Sequence, residues 1–184
     1  MINLNGYDKV DALQEGEYKK LPAGGYVCIV TAASATSTKT GKPMLVISFD
    51  IAEGRYKNLF AGRDNKPTLY QLIFDKDGGI SPYFKGMLTN FEKSNTGFKI
   101  PAGDFDEKEL RGKYIGVLFG AEEFVTREGD IRVAVKPKFT LSVDKVRDNL
   151  FTVPALKRVQ RRQTFSNIDE DFGGVEIKDE NLPF

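Results

Sequence analysis

A single well-marked helical repeat, with strand-like runs on both sides of it, is what most restricts the fold of this chain. Ser81 precedes Pro82, the residue favoured at the first helical position, and Phe84, Met87, Leu88 and Phe91 follow at helical spacing until Asn95 and Gly97 end the pattern. Three strand-like segments come before it. Residues 26–31 (YVCIVT) follow the turn signal Pro22-Ala23-Gly24-Gly25. Residues 44–53 alternate, with Leu45, Ile47, Phe49 and Ile51 on one face and Ser48 and Asp50 on the other. The polar stretch between them, residues 34–42, reads as a loop; Glu53-Gly54-Arg55 reads as a tight turn into residues 56–60, and residues 68–74 as a third strand. Two strands follow the helix. Residues 112–124 form a long one in which Gly116 and Gly120 mark bending or a bulge. After a hairpin turn at residues 127–130, residues 131–141 alternate: Ile131, Val133, Val135, Phe139 and Leu141 point one way, Arg132, Lys136 and Lys138 the other. A short helix over residues 143–149 and Pro154 close the ordered body, and the polar start of the chain holds at most a short helix near residues 7–14.

The order strand, strand, strand, helix, strand, strand predicts a mainly β domain. A five-stranded Greek-key barrel with a helix between strands 3 and 4 is the oligonucleotide-binding (OB) fold. An immunoglobulin-like sandwich would want more strands and no central helix. Phe49, Phe91 and Phe119, with aliphatic neighbours in period, belong to the core, and Cys28 is a buried small hydrophobe. Residues 1–23 are an N-terminal extension and residues 24–156 the OB domain. Residues 157–184 are a basic segment followed by a flexible acidic tail, with disorder expected from about Gln163. Fold alone does not settle function.

Charge and absences narrow the chemistry. Residues 169–184 hold six acids (Asp169, Glu170, Asp171, Glu176, Asp179, Glu180) and one base, Lys178, for −5. The remaining 26 bases and 20 acids leave +6 on residues 1–168, with Lys157, Arg158, Arg161 and Arg162 clustered just before the tail. A basic body with an acidic tail suits a nucleic-acid binder with an interaction tail, or simply a solubilising terminus. Histidine is absent, which removes Ser-His-Asp and Cys-His catalysis and HExxH zinc sites; one cysteine removes an internal disulfide and a cysteine zinc cluster. The phosphate-loop and dinucleotide fingerprints are missing too. No cofactor and no metal are therefore expected, and no enzyme. The first residues lack the charged start and apolar core of a signal peptide, and the apolar runs fall far short of a membrane span, so a cytoplasmic protein without a membrane partner is expected.

The chain ends Asp179-Glu180-Asn181-Leu182-Pro183-Phe184. This resembles the C-terminal tip of bacterial and phage single-stranded-DNA-binding proteins, with Asn181 standing where many members carry another acid. The preceding Gly-Gly and acids resemble that family's flexible linker. The body, with Tyr83-Phe84-Lys85-Gly86 and Glu92-Lys93-Ser94-Asn95, resembles instead a phage protein family of replication modules, usually described as uncharacterised or as single-stranded-DNA binders. The resemblance implies a protein of a phage-infected or prophage-carrying bacterial host that coats single-stranded DNA in replication and recombination. It implies that Asp179, Glu180, Leu182, Pro183 and Phe184 recruit partner enzymes. Physically, Phe184 would fill an apolar pocket while its carboxylate and the neighbouring acids meet a basic rim.

Sequence-tolerant binding of single strands needs cations for phosphates and aromatic faces for bases. OB-fold geometry places ligand over strands 2 and 3 and the loops joining strands 1 to 2 and 4 to 5. That geometry selects Lys39 and Lys42 in the first loop. Around the third strand it selects Arg55, Tyr56, Lys57, Phe60, Arg63, Lys66 and Tyr70, and in the last hairpin Arg127 and Arg132, with Lys136 and Lys138 extending the outward face. Tyr56, Phe60 and Tyr70 are the stacking candidates, with Phe60 open between stacking and core. Self-association into a homo-oligomer stays open. Two other readings compete: a protein-interaction module, such as a recombination mediator or inhibitor, whose tail mimics the tip; and a metal-dependent nuclease built on Asp104, Asp106 and Glu107 or on Glu122 and Glu123. Asp104 to Glu107 read more simply as the start of a short helix, where acids are favoured.

Overall fold

The computed structural model of the 184-residue chain describes Asn5 and residues 20–159. The expected helix at residues 7–14, the acidic tail and its tip lie outside the described residues. The elements are β1 (Gly24–Ser37), β2 (Pro43–Ile51), β3 (Thr68–Leu72), α1 (Pro82–Ser94), a 3₁₀ turn (Glu107–Leu110), β4 (Tyr114–Val125), β5 (Ile131–Leu141) and α2 (Val143–Arg147). The strands form one antiparallel sheet in the order β3-β2-β1-β4-β5. Its edge strands β3 and β5 come within 8 Å of each other, Cα to Cα, and α1 packs against β3, β4 and β5. The fold is mainly β, with the helix between the third and fourth strands as the sequence predicts.

The apolar alternation decides the inner face. Cys28 and Val30 of β1, Leu45, Ile47, Phe49 and Ile51 of β2, Leu69 of β3 and Ile115, Val117 and Phe119 of β4 form one buried cluster. Met87 and Phe91 of α1 join it, as does Leu21 from before β1. Pro82 occupies the first turn of α1 and Ser81 its N-cap position, without a capping bond from the side chain. At the other end the Asn95 amide donates to the Phe91 carbonyl at 2.8 Å, then pairs with the Tyr114 backbone as a strand would, donating at 2.8 Å and accepting at 2.9 Å. One side chain thus ends the helix and places the start of β4. Asp106 caps the 3₁₀ turn by accepting from the Lys108 N–H, so this acid stands at a helical start as expected.

Four sequence expectations change. The polar stretch 34–42 is mostly strand: β1 pairs with β2 as far as Ser37 opposite Pro43, which leaves a tight turn at residues 38–42 with Gly41 at φ 80°. Ser34 and Thr36 are polar because they stand on the outward face, opposite Val46 and Met44, not because the backbone lacks a partner. Residues 56–60, expected after a turn, continue as turns: Leu59 bonds back to Tyr56, Ala61 to Asn58 and Arg63 to Phe60. Buried Asp50 ties this link down, its carboxylate accepting from the Phe60 N–H at 3.0 Å. In β5, a bulge opposite Leu118 and Phe119 leaves Lys138 unpaired. Val135 therefore packs toward the core, whereas Phe139 stands opposite outward-facing Leu118 and is exposed.

The fourth change concerns Gly116 and Gly120. The bulge falls between their positions, but close packing is what requires them. A Cβ on Gly116 would lie 2.6 Å from the Val146 methyl of α2 and 2.9 Å from the Leu141 and Ser142 carbonyl oxygens. Val27, Val143 and Val146 form a second small core there, outside the sheet. The chain after α2 then runs back over the same face. Phe151 fills the space above Gly25, Pro154 approaches Gly120, and Lys157 pairs in parallel with Glu122, its N–H bonding to Ala121 O and its carbonyl accepting from the Glu123 N–H. Pairing thus runs past residue 156, and the first of the basic cluster belongs to the folded body.

Candidate functional site

Among the described residues, nothing packs over the outward sheet surface of β1, β2 and β3 that carries Ala32, Ser34, Thr36, Val46, Ser48, Thr68, Tyr70 and Leu72, as the strand register dictates. Tyr70 is 64% exposed. A cleft of about 410 Å³ lies beside it, bounded by Thr31, Ser48, Asp64, Asn65, Lys66 and Thr68. Hydroxyls shape its floor: Ser48 and Thr68 bond each other at 3.0 Å, and Thr31 donates to the Ser48 carbonyl at 3.1 Å. Of the expected surface, Lys66 and Tyr70 are brought together at this cleft. Lys39 and Lys42 sit exposed on the turn that joins β1 to β2.

Arg55, Tyr56, Lys57, Phe60 and Arg63 lie on the turn-rich link between β2 and β3, not on the third strand. Tyr56 and Phe60 are half-buried and pack against the core. Tyr56 meets Tyr26 edge to face at 5.9 Å, with the Arg55 guanidinium 5.1 Å from its ring centre, and Arg63 lies 5.8 Å from that of Phe60. Their faces are already engaged by protein, which leaves Tyr70 as the open ring of the three. Tyr26 itself donates to the Pro22 carbonyl at 2.9 Å, and burial raises its hydroxyl pKa to about 12.

The last hairpin carries the remaining cations. Arg127 is exposed in its turn, and Arg132 lies 3.7 Å from Asp130. Lys136 and Lys138 both grip the Glu122 carboxylate, Lys138 at 2.5 Å. Hydrogen bonds from Lys136 and Lys138 hold that carboxyl well below the ordinary range, at about 2. Glu123 accepts from the Val159 N–H at 3.1 Å. Both acids are engaged within the fold, and among the described residues no group of His, Cys, Asp and Glu has the arrangement to hold a metal. Phe124 and Phe139, exposed on the outward face of this hairpin, escape sequence reasoning. Phe139 shares the spacing of the core residues, and only the bulge reverses it.

A second cleft, of about 520 Å³, lies where α1, α2 and the β2–β3 link meet, and mixes Lys57, Lys93 and Arg147 with Glu53 and Asp144. Arg147 pairs bidentately with Glu53, at 2.6 and 3.3 Å, and that bond lowers the Glu53 pKa. Among the described residues no helix is long and apolar enough to cross a membrane.

Residues 8–70 match a family described as a protein of unknown function (DUF669). The match spans about a third of the chain and ends on β3 at Tyr70, so β4, β5 and the C-terminal elements fall outside it. It agrees with the expected likeness of the body to an uncharacterised family and does not speak to DNA. No curated protein matches the sequence.

Proposed function

We propose that this chain is a non-enzymatic single-stranded-DNA-binding protein of the phage type, built on an OB fold. It coats exposed strands in replication and recombination and recruits partner enzymes through its C-terminal tip. The single observation that carries the reading is Tyr70, an open ring on a bare strand face, beside Lys66 and a hydroxyl-lined cleft. An exposed aromatic ring beside a cation suits a base and its phosphate without regard to sequence. The OB assignment draws on the strand order β3-β2-β1-β4-β5, the approach of β3 to β5 and the helix between β3 and β4. In that fold the two hairpins, carrying Lys39 and Lys42 at one and Arg127 and Arg132 at the other, flank the ligand face.

The experiment is a fluorescence-anisotropy titration with oligo-dT and with duplex DNA at two salt concentrations. Single strands should bind more tightly, with a log–log salt slope near −0.7 per phosphate contact. Equal affinity for duplex, or no binding at low salt, overturns the reading. The tip is tested separately by pull-down with the intact and Phe184-deleted protein. Deletion should lose the partner enzymes while leaving DNA affinity unchanged, and identical sets of captured proteins would remove the recruiting role.

A further inference from the structure

The outward face of the β4–β5 hairpin holds two exposed aromatic rings with cations between them. Phe139 stands opposite Leu118 and is 55% exposed; Phe124 stands opposite Arg132 and is 40% exposed. Leu118 and Phe124 stand six positions apart on β4, about 20 Å along an extended strand. Between the rings, on the same face, the ammonium groups of Lys136 and Lys138 meet on Glu122. On the other edge of β4 the backbone of Lys157 is bridged to Glu122, which puts a further base at the register position beside it. Lys136 and Lys138 thus hold one acid, with Lys157 at the register position beside it and Arg132, 3.7 Å from Asp130, towards the Phe124 end.

Two exposed rings spaced along a strand face, with cations between them, offer flat faces for bases and charges for the phosphates that join them. The Glu122 carboxylate presents two anionic oxygens to the lysines, as a phosphodiester would, and each ammonium has three N–H donors to offer. We propose that this face is a second contact surface for single-stranded DNA, in which Phe139 and Phe124 stack bases while Lys136 and Lys138 exchange the Glu122 carboxylate for a backbone phosphate. The inference rests on the reading of the chain as a single-strand binder and adds to it a track distinct from the Tyr70 face. It also has a direction. Glu122 remains an anion after the exchange and repels the incoming phosphate, so it limits affinity.

The test uses the full chain, fluorescent oligo-dT and a salt series, with far-UV circular dichroism and a thermal melt on every variant. Phe124→Ala and Phe139→Ala should each weaken binding about tenfold. Glu122→Gln should tighten binding at low salt and steepen the salt slope, and Lys136→Gln should flatten it by about 0.7. Ultraviolet cross-linking of the unaltered protein to oligo-dT provides a readout that needs no variant, with adducts expected on peptides carrying Phe124 or Phe139. Folded Phe124→Ala and Phe139→Ala proteins with unchanged affinity, or adducts confined to the Tyr70 peptide, would overturn this surface and leave the first reading standing. Weaker binding by Glu122→Gln would overturn the exchange. An unaltered protein that does not bind oligo-dT at low salt would overturn both readings.

Discussion

The outward surfaces of β1–β2–β3 and of β1–β4 belong to one sheet yet meet opposite fates. On the β4 side, α2 and the chain after it lie directly on the strands, and the sequence makes room with Gly25, Gly116 and Gly120. Leu118 and Val27, which face outward there, are buried as fully as residues of the main core. On the β2–β3 side nothing among the described residues covers the strands, and short hydroxyl side chains take the outward positions around Tyr70. The difference teaches where to look for binding. The part of the sheet that the fold seals with its own C-terminal elements, as far as Gly120 on β4, serves stability, and a part that no described residue covers is open to a ligand.

The sharpest way to break the contrast is to fill the space that α2 needs. Gly116→Ala should destabilise the protein by about 2–3 kcal/mol in a urea melt, because two of the atoms its Cβ meets are backbone oxygens that cannot swing aside. A cost below about 0.5 kcal/mol would mean that α2 docks loosely. On the bare side the effect should fall on binding alone. Tyr70→Ala should weaken oligo-dT binding by about 1–3 kcal/mol while stability stays within about 0.5 kcal/mol. Loss of stability without loss of affinity would make Tyr70 structural and reverse the contrast.

Subtler variants sharpen it. Gly25→Ala should cost about 1–2 kcal/mol in the unaltered protein, since the new Cβ would lie 2.6 Å from the Phe151 ring, and clearly less beside Phe151→Ala. Additive costs would show that the chain after α2 does not press on β1. The smallest effect is acid sensitivity at Glu122. Its carboxyl titrates at about 2 in the folded protein against an ordinary 4.5, so the folded state favours the charged form. That contribution is complete above about 4.5 and is lost as pH falls toward about 2. The group is near solvent, which limits it to under about 1 kcal/mol, and Glu122→Gln should remove this part of the acid dependence in melts across that range.

The pattern of apolar and polar residues by itself determined the class of fold, because alternation and helical spacing are local properties of the chain. It placed the five strands, the helix after Ser81-Pro82, and Phe49, Phe91, Phe119 and Cys28 in the core, each now found fully buried. Tyr70 and Lys66 became surface candidates one step less directly, through the OB-fold geometry that the order of elements suggests. The pattern could not separate Tyr56 and Phe60 from Tyr70, since a ring on a turn is committed only by what folds back against it: Tyr26 and Arg55 for one, the core and Arg63 for the other. Nor could it tell that Gly116 and Gly120 answer to residues further along the chain, Val146, Lys138 and Pro154. The side on which Phe139 emerges was decided by one unpaired residue, Lys138, because each residue slipped in a strand exchanges its two faces. Periodicity can be read along a chain, whereas coverage of a face depends on distant segments meeting, and that only the tertiary structure decides.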